Sequence, residues 1–420
     1  MKKRFYFVLA RYFKLWASLQ LKRWRPKVFV VTGSSGKTTT LHLVEAQLGA
    51  KARYSHHANS AFGICFDILG LGRKKLKKSE WIGLILRAPV RAFKKPFVEQ
   101  IYIAEVDCDR PEEGKFLADL LRPTGIIWLS STHTHAASFD RLVEAGQYKS
   151  VDQAIAHEFG WLLEYTTGFA IVNTDNIGIK NQLNRTSAEL VQLSGKDIKK
   201  YSPSLGKTSF EFVVDDKRSA VSAPALLPEA VGLSVLAVAT LVGKIGDGLD
   251  RDFSRFVLPP GRSSVFTGIK KITLIDSTYN ASLDAAVEMI HLLELLDVPT
   301  KWLVVSDVLE QGSSERRNHE QLAMTIAGAR VDKIIVMGPR MIKYAVPTLE
   351  QQRVEFTALE TPKEVLDVLK DQIQGGETIL FKGTRFLEGV VEHLLANPAD
   401  AAKLCRREAV WHKRRTAWGL

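Results

Sequence analysis

Residues 28–40 read VFVVTGSSGKTTT, and this stretch decides the class of fold. A run of apolar residues, typical of a buried strand, leads into a glycine-rich turn, and a helical pattern follows over residues 38–48. Gly33 and Gly36 allow a tight turn, Lys37 can reach the outer phosphates of a nucleotide, and Thr38 can offer its hydroxyl to Mg²⁺. The order of strand, loop and helix predicts a phosphate-binding loop for ATP, formed by Gly33, Ser34, Ser35, Gly36, Lys37, Thr38 and Thr39.

Strand-like and helical segments alternate along the rest of the chain, and strands separated by helices indicate a parallel sheet covered on both faces. The segment Leu258-Pro259-Pro260-Gly261 is the strongest break in this pattern. The alternation restarts beyond it, as expected for a Rossmann-like domain. The predicted strands are at residues 28–31, 101–105, 125–129, 169–172, 272–275, 301–305, 333–336 and 378–381, and the main predicted helices of the second half at 283–296, 318–328, 362–374 and 385–395.

These patterns predict an α/β protein with a P-loop parallel-sheet ATPase domain, followed by a Rossmann-like C-terminal α/β domain. We expect four parts. They are a basic amphipathic helix (1–27), a central ATP-binding domain (28–257), the C-terminal domain (258–400) and a basic tail (401–420).

Composition is that of a globular protein, since 45% of the 420 residues are hydrophobic and 25% are charged. The three cysteines, Cys65, Cys108 and Cys405, are too few and too scattered for a disulfide framework or a four-cysteine zinc site. We therefore expect a reducing, cytoplasmic location.

The formal net charge of +12 is concentrated at the two ends of the chain. Residues 1–27 form a basic helical pattern whose apolar side chains share one face. Such a helix suits either a membrane surface or packing on its own domain, and the spacing does not decide between them. The membrane reading would place the protein at the inner face of the membrane. For the basic tail we expect solvated side chains, and no recognised nucleic-acid module appears in the chain.

The spacing of the glycines in the phosphate loop is shorter than in the general P-loop, and this form resembles the Mur ligase family. The similarity extends over most of the chain after residue 27, and is greatest to the members that add D-alanyl-D-alanine to a UDP-N-acetylmuramoyl tripeptide. Further landmarks follow in the family's order: Asn59-Ser60-Ala61-Phe62-Gly63-Ile64, Glu105, His135, Pro260-Gly261-Arg262, Asp276-Ser277-Thr278-Tyr279-Asn280-Ala281-Ser282, Asp307-Val308-Leu309-Glu310-Gln311-Gly312 with His319, and Lys382-Gly383-Thr384-Arg385.

The resemblance implies an enzyme that uses ATP and Mg²⁺ to join a carboxylate to an amine through an acyl phosphate. It implies a peptide carboxylate as acceptor and an amino acid or dipeptide as the amine. By resemblance, Lys37, His135, Lys149 and Arg262 are catalytic; Thr38, Glu105 and His135 bind metal; Asn59, Arg262, Asp276, Tyr279 and Asn280 bind nucleotide; and Asp307, His319, Lys382 and Arg385 bind substrate.

Two departures from the family pattern leave questions open. The loop begins near residue 32, so we expect no N-terminal domain for a UDP-sugar, and the sequence leaves open whether the acceptor is UDP-linked, lipid-linked or neither. The carbamylated lysine of many members falls on Lys149 when counted from His135, but on Ala156 when aligned on Glu158-Phe159. The alternatives to a Mur-type ligase are a folylpolyglutamate- or polyglutamate-synthetase-like ligase and a non-catalytic nucleotide-binding scaffold.

Overall fold

The computed structural model describes residues 3–56, 58–72, 80–132, 138–214, 216–309 and 311–420. They form two compact units. The first contains Met1–Asp197 and Leu233–Asp250, and the second contains Ile198–Gly232 and Arg251–Leu420. The domain boundaries predicted at residues 27, 257 and 400 stay predictions.

The first unit is built on a six-stranded parallel sheet with helices around it, as the alternating pattern predicts. The strand order is β2-β3-β1-β4-β5-β6, so the strand before the phosphate loop lies between β3 and β4. The strands are β1 (Lys27–Thr32), β2 (Ala52–Tyr54), β3 (Ile101–Val106), β4 (Gly125–Trp128), β5 (Phe169–Asn173) and β6 (Glu189–Leu193). The helices are α1 (Lys3–Trp24), α2 (Lys37–Leu48), α3 (Ala61–Ile68), α4 (Glu80–Ala92), α5 (Glu113–Leu121), α6 (Asp140–Glu144), α7 (Val151–Glu164), α8 (Ile177–Lys180) and α9 (Val231–Ile245).

The N-terminal helix α1 packs its apolar face on its own unit. Ala10, Phe13 and Ala17 are fully buried, and the ring of Phe13 meets that of Phe66 at 4.8 Å between centroids. The hydroxyl of Tyr12 donates to the carbonyl oxygen of Ile85 in α4 at 2.8 Å. Of the two interpretations of residues 1–27, packing on the domain is the one that the structure shows for the apolar face. Among the described residues, no helix has the length and apolar character to cross a membrane.

The second unit contains a three-stranded antiparallel sheet, which the sequence pattern did not predict, and a six-stranded sheet. The larger sheet has the order β10-β11-β15-β12-β13-β14 and is parallel except for its edge strand β10. The strands are β7 (Ile198–Pro203), β8 (Thr208–Val214), β9 (Lys217–Ala223), β10 (Ser264–Thr267), β11 (Thr273–Ser277), β12 (Lys301–Ser306), β13 (Lys333–Met337), β14 (Thr357–Leu359) and β15 (Thr378–Lys382). The helices are α10 (Leu283–Leu295), α11 (Glu315–Gly328), α12 (Val346–Gln351), α13 (Pro362–Gln372), α14 (Leu387–Leu394) and α15 (Ala409–Thr416).

The basic tail is partly packed, so the expectation of wholly solvated side chains was wrong. Arg415 is 4% exposed and lies 3.9 Å from a carboxylate oxygen of the buried Glu388. Arg406 lies 3.3 Å from the other oxygen of Glu388. A buried carboxylate requires paired positive charge, and these two arginines supply it.

Candidate functional site

The phosphate loop joins the carboxyl end of β1 to the amino end of α2, where backbone N–H groups point away from the helix and favour anions. Gly33 and Gly36 have φ values of +130° and +78°, which residues with a Cβ rarely adopt. A Cβ on Gly33 would also lie 2.8 Å from the carbonyl oxygen of Ser130. Both glycines are therefore required by the backbone path.

The loop is held in shape by the segment that follows β4. Ser130 accepts a hydrogen bond from the N–H of Ser35 at 2.9 Å and donates to the carbonyl oxygen of the same residue. The hydroxyl of Ser34 accepts from the N–H of Thr132 at 2.8 Å. Because β1 and β4 are parallel neighbours, their carboxyl ends meet at one edge, and this brings the two segments together. Ser130 and Thr132 were not predicted, since no motif in the sequence marks them.

Lys37 is a buried cation at the base of the loop. Its Nζ donates to the carbonyl oxygen of Gly33 at 2.7 Å and lies 2.8 Å from a carboxylate oxygen of Asp107. Asp107 follows β3, the other neighbour of β1 in the sheet. Asp107 was not predicted from the sequence, although its position two residues after Glu105 places it at the same edge of the sheet. In this arrangement a carboxylate occupies the position on Lys37 that the loop motif predicts for a phosphate oxygen.

Thr38 and Glu105 are brought together as predicted. The Thr38 hydroxyl donates to Oε1 of Glu105 at 3.1 Å. The N–H of Glu105 donates to the hydroxyl of Ser55 at 2.8 Å, which fixes the end of β3. Two oxygen ligands on adjacent positions of octahedral Mg²⁺ lie about 3.0 Å apart, so this pair of oxygens fits that ion. His135, the predicted ligand of a second metal ion, lies outside the described residues.

The remaining predicted residues of the first unit lie in different surroundings. Thr39 is buried in the first turn of α2. Asn59 contacts the site through its backbone, since its carbonyl oxygen accepts from the N–H of Asp107 at 2.8 Å. Lys149 is exposed just before α7, while Ala156 is buried in that helix. The catalytic role of Lys149 stays a prediction.

In the second unit, the predicted nucleotide segment lies at the carboxyl end of β11. The guanidinium of Arg262 lies 4.8 Å from the centre of the Tyr279 ring, and the N–H of Tyr279 donates to the carbonyl oxygen of Gly261 at 3.1 Å. Lys382, at the end of the neighbouring β15, donates from Nζ to the carbonyl oxygen of Asn280 at 2.9 Å. These four predicted residues therefore form one cluster with Gly261.

Burial changes the pKa of two charged groups in this cluster. Asp276 is fully buried, and this raises the pKa of its carboxyl to about 6, against the effect of two hydrogen bonds from Thr278. Its Oδ2 has no hydrogen-bond partner among the described residues. Burial, followed by the positive charge of Arg262, lowers the pKa of Lys382 to about 8. The cluster therefore contains a buried polar oxygen and a cation that can lose its proton near neutral pH.

Arg406, in the C-terminal tail, supports the same segment and was not predicted. Its guanidinium donates to the carbonyl oxygen of Thr278 at 3.1 Å and to that of Tyr279 at 2.6 Å. No sequence signal identified Arg406, because the sequence does not show whether a basic residue of the tail is solvated or paired with an acidic residue elsewhere in the fold.

The predicted substrate residues Asp307 and Arg385 meet where β12 and β15 end. The Nε of Arg385 donates to Oδ2 of the buried Asp307 at 2.7 Å. Oδ1 of Asp307 accepts from the N–H groups of Arg340 and Met341 at 3.0 and 2.9 Å. Arg340 also pairs with Glu315 through its Nε at 2.6 Å. Asp307 thus fixes two arginines that are each about one quarter to one third exposed.

His319 is fully buried in α11. Its Nε2 accepts from the N–H of Val308 at 3.2 Å, which leaves the proton on Nδ1 to donate to the carbonyl oxygen of Glu315 at 2.7 Å. The Nε2 contact therefore holds the segment after β12, while the Nδ1 contact fixes the ring on α11.

Comparison with known proteins supports the interpretation of both units. Residues 261–385 match the family described as Mur ligase, glutamate ligase domain. The UDP-N-acetylmuramoyl-tripeptide–D-alanyl-D-alanine ligase of Bacillus subtilis (strain 168) is 22% identical over 390 residues, which cover 91% of this chain and 79% of that protein. The Escherichia coli (strain K12) ligase of the same name is 25% identical over 399 residues, covering 88% of this chain and 77% of its own length.

Solved structures share the fold over most of the chain. The MurF ligase of Thermotoga maritima in complex with ADP superimposes with a TM-score of 0.71 at 21% identity, covering 91% of this chain and 83% of that one. The folylpolyglutamate synthase of Mycobacterium tuberculosis, complexed with ADP and AMPPCP, gives a TM-score of 0.58 at 14% identity, covering 91% and 95%. Residues 261–385 therefore carry the glutamate ligase domain of the Mur ligase family, and the chain is similar along most of its length to ATP-dependent carbon–nitrogen ligases and shares their fold.

Proposed function

We propose that this chain forms an amide bond between the carboxylate of a peptidoglycan-precursor-like peptide and an amino acid or dipeptide, with consumption of ATP. The observation that carries the proposal is the phosphate loop, with Lys37 in its base and Thr38 paired to Glu105. Similarity to UDP-N-acetylmuramoyl-tripeptide–D-alanyl-D-alanine ligases, which covers 91% of the chain in the Bacillus subtilis relative, supports this class of acceptor and amine.

The chemistry requires two displacements. An oxygen of the acceptor carboxylate attacks the γ-phosphorus of ATP, the bond to the bridging oxygen breaks, and ADP leaves. The amine then attacks the acyl carbon, loses a proton, and phosphate leaves with the former carboxylate oxygen. Negative charge accumulates on phosphoryl oxygens in both steps, so fixed cations and backbone N–H groups are the main source of stabilisation.

The first unit supplies these groups. In the proposed ligand complex Lys37 exchanges Asp107 for phosphate oxygens, and the N–H groups of the loop bind the remaining charge. Thr38 and Glu105 would hold Mg²⁺, which when bound neutralises charge on the phosphates. His135 would hold the second ion and Lys149 would act beside it, as the resemblance implies.

The second unit supplies the amine-side and nucleotide contacts in this proposal. Arg262, Tyr279 and Asn280 contact nucleotide. Arg385, held by Asp307, binds the carboxylate of the incoming amino acid or dipeptide, because a guanidinium can donate two parallel hydrogen bonds to a carboxylate. His319 and Lys382, both buried, fix the strand ends from which these side chains project.

A folylpolyglutamate-synthase-like activity is the second candidate. It is favoured by coverage, since the Thermotoga maritima folylpolyglutamate synthase is matched along 100% of its length at a TM-score of 0.56. The higher TM-score of the MurF ligase places this candidate second.

The test is a screen of ADP and phosphate release in which acceptors are crossed with amines. The acceptors are a UDP-linked muramoyl tripeptide, the same tripeptide on a lipid carrier, and a folate. The amines are D-alanyl-D-alanine, single amino acids and glutamate. We expect release that requires both a muramoyl peptide and an amine, a product of the summed mass less one water, and no release by a Lys37→Ala variant.

Release only with folate and glutamate would select the second candidate. Nucleotide binding without release in any combination would contradict both and leave a non-catalytic scaffold. The UDP-linked and lipid-linked arms separate the two sources of muramoyl peptide.

A further inference from the structure

The helix α4 exposes a stripe of large apolar side chains. Ile82, Leu86, Val90 and, one residue past the end of the helix, Phe93 are between 61% and 68% exposed. Residues spaced by three and four share one face of a helix, so the four side chains form a continuous stripe. Exposed apolar patches of this kind mark interaction surfaces.

This exposed stripe is separate from the face by which α4 packs on the core of its unit. Leu84, Ala88 and Ala92 are fully buried on another side of the helix. The helix is fixed beside α1 by the hydrogen bond from Tyr12, and by Arg23, which donates to the carbonyl oxygen of Ala92 at 2.6 Å. The exposed stripe is therefore presented on a helix that is already packed in place.

Positive charge borders the stripe. Arg87, Lys94 and Lys95 are exposed, and Glu80 is the one acidic residue of α4. The neighbouring helix α1 also has exposed apolar and basic residues: Val8, Arg11, Leu15 and Lys22.

We propose that the α4 face, defined as Ile82, Leu86, Val90 and Phe93 with Arg87, Lys94 and Lys95, docks on the surface of an anionic lipid bilayer. A helix that lies in the interface inserts its apolar side chains at the headgroup boundary, while flanking Lys and Arg meet anionic headgroups. The charge disfavours a second copy of this chain as the occupant, because a symmetric contact would bring like charges together. The proposal does not depend on the proposed ligase reaction.

The docking is tested by flotation of the full chain with vesicles of phosphatidylcholine containing about one third phosphatidylglycerol, and with vesicles of phosphatidylcholine alone. We expect the chain to float with the anionic vesicles, and its bound fraction to fall as salt rises from about 0.05 to 0.5 M. The double variant Leu86→Ser/Val90→Ser should lower the partition coefficient at least about tenfold. The triple variant Arg87→Gln/Lys94→Gln/Lys95→Gln should lose the preference for anionic vesicles.

The matched control is Ile177→Ser/Val257→Ser, which removes two side chains that are 69% and 71% exposed elsewhere in the chain. It should float like the unchanged protein. Thermal unfolding and nucleotide binding establish that each variant is folded. Absence of flotation with anionic vesicles, or unchanged flotation of the α4 variants, overturns the proposal. So does a dimer in light scattering that the Leu86→Ser/Val90→Ser variant abolishes, since a second copy would then cover the face.

Discussion

Replacement of Asp107 by Asn tests whether the ion pair between Lys37 and Asp107 is exchanged for phosphate when nucleotide binds. In the structure the Lys37 side chain is 9% exposed and that of Asp107 is 12% exposed, with 2.8 Å between Nζ and the carboxylate. Loss of one partner of a buried ion pair costs about 3–5 kcal/mol. Asn keeps a hydrogen-bond acceptor and Lys37 keeps the carbonyl of Gly33, so we expect the lower end, about 3 kcal/mol. For a unit of about 150–250 residues this is a fall in Tm of about 6–12 °C.

The measurement is thermal unfolding of the Asp107→Asn variant with and without saturating Mg-ADP. In the proposed nucleotide complex, phosphate oxygens replace the carboxylate on Lys37. The difference in Tm from the unchanged protein should therefore shrink when nucleotide is bound, and the variant should bind ADP at least as tightly. The matched control is Asp119→Asn, which breaks the more exposed pair with Lys14 and should cost at most about 1 kcal/mol. An unchanged Tm of Asp107→Asn without nucleotide would contradict a stabilising ion pair, and a difference in Tm that persists with nucleotide would contradict its exchange for phosphate.

Three further predictions concern the loop and the nucleotide segment. Gly33→Ala should abolish nucleotide binding in a titration with ADP, because its Cβ would lie 2.8 Å from the oxygens of Ser130 and its φ of +130° disfavours Ala; binding at normal affinity would contradict this. Because the pKa of Asp276 is raised to about 6, the folded state holds the carboxyl proton more tightly than the unfolded state does. The contribution of Asp276 to the free energy of unfolding therefore falls as the pH rises from about 4 to 6, and stays low above pH 6. Asp276→Asn should therefore gain Tm relative to the unchanged protein between pH 4 and pH 8, and a constant difference would refute this. Arg406→Gln should raise the KM for ATP about tenfold, because it frees the carbonyl oxygen of Tyr279; an unchanged KM would show that the tail does not position this segment.

The parts of the fold that could be predicted from sequence are those with strong local patterns. The eight predicted strands lie within or overlap β1, β3, β4, β5, β11, β12, β13 and β15, because each is a short apolar run between turn residues. The sheet β7–β9 was missed although β8 alternates between buried and half-buried residues, since the strands on either side of it, β7 and β9, are rich in Lys and Ser and lack an apolar run. The packing of α1 could not be decided, because an apolar face does not reveal what covers it.

Residues of the candidate site that belong to a sequence motif could be predicted, whereas residues that only the fold brings to the site were missed. The phosphate loop was predicted from its glycine spacing and its Lys-Thr pair, and Glu105 was predicted from the resemblance to the Mur ligase family. Asp107, Ser130 and Arg406 carry no motif, and they contact the site because neighbouring strands end at one edge or because the tail folds back.

In the proposed reaction the acceptor carboxylate is phosphorylated before the amine attacks. The order of events can be followed by supplying the muramoyl peptide with ¹⁸O in its reacting carboxylate, with Mg-ATP and the amine, and by mass analysis of the phosphate that is released. We expect one ¹⁸O atom in each phosphate, because the oxygen that attacks the γ-phosphorus leaves with it. Phosphate without the label, released at the rate of product formation, would contradict it.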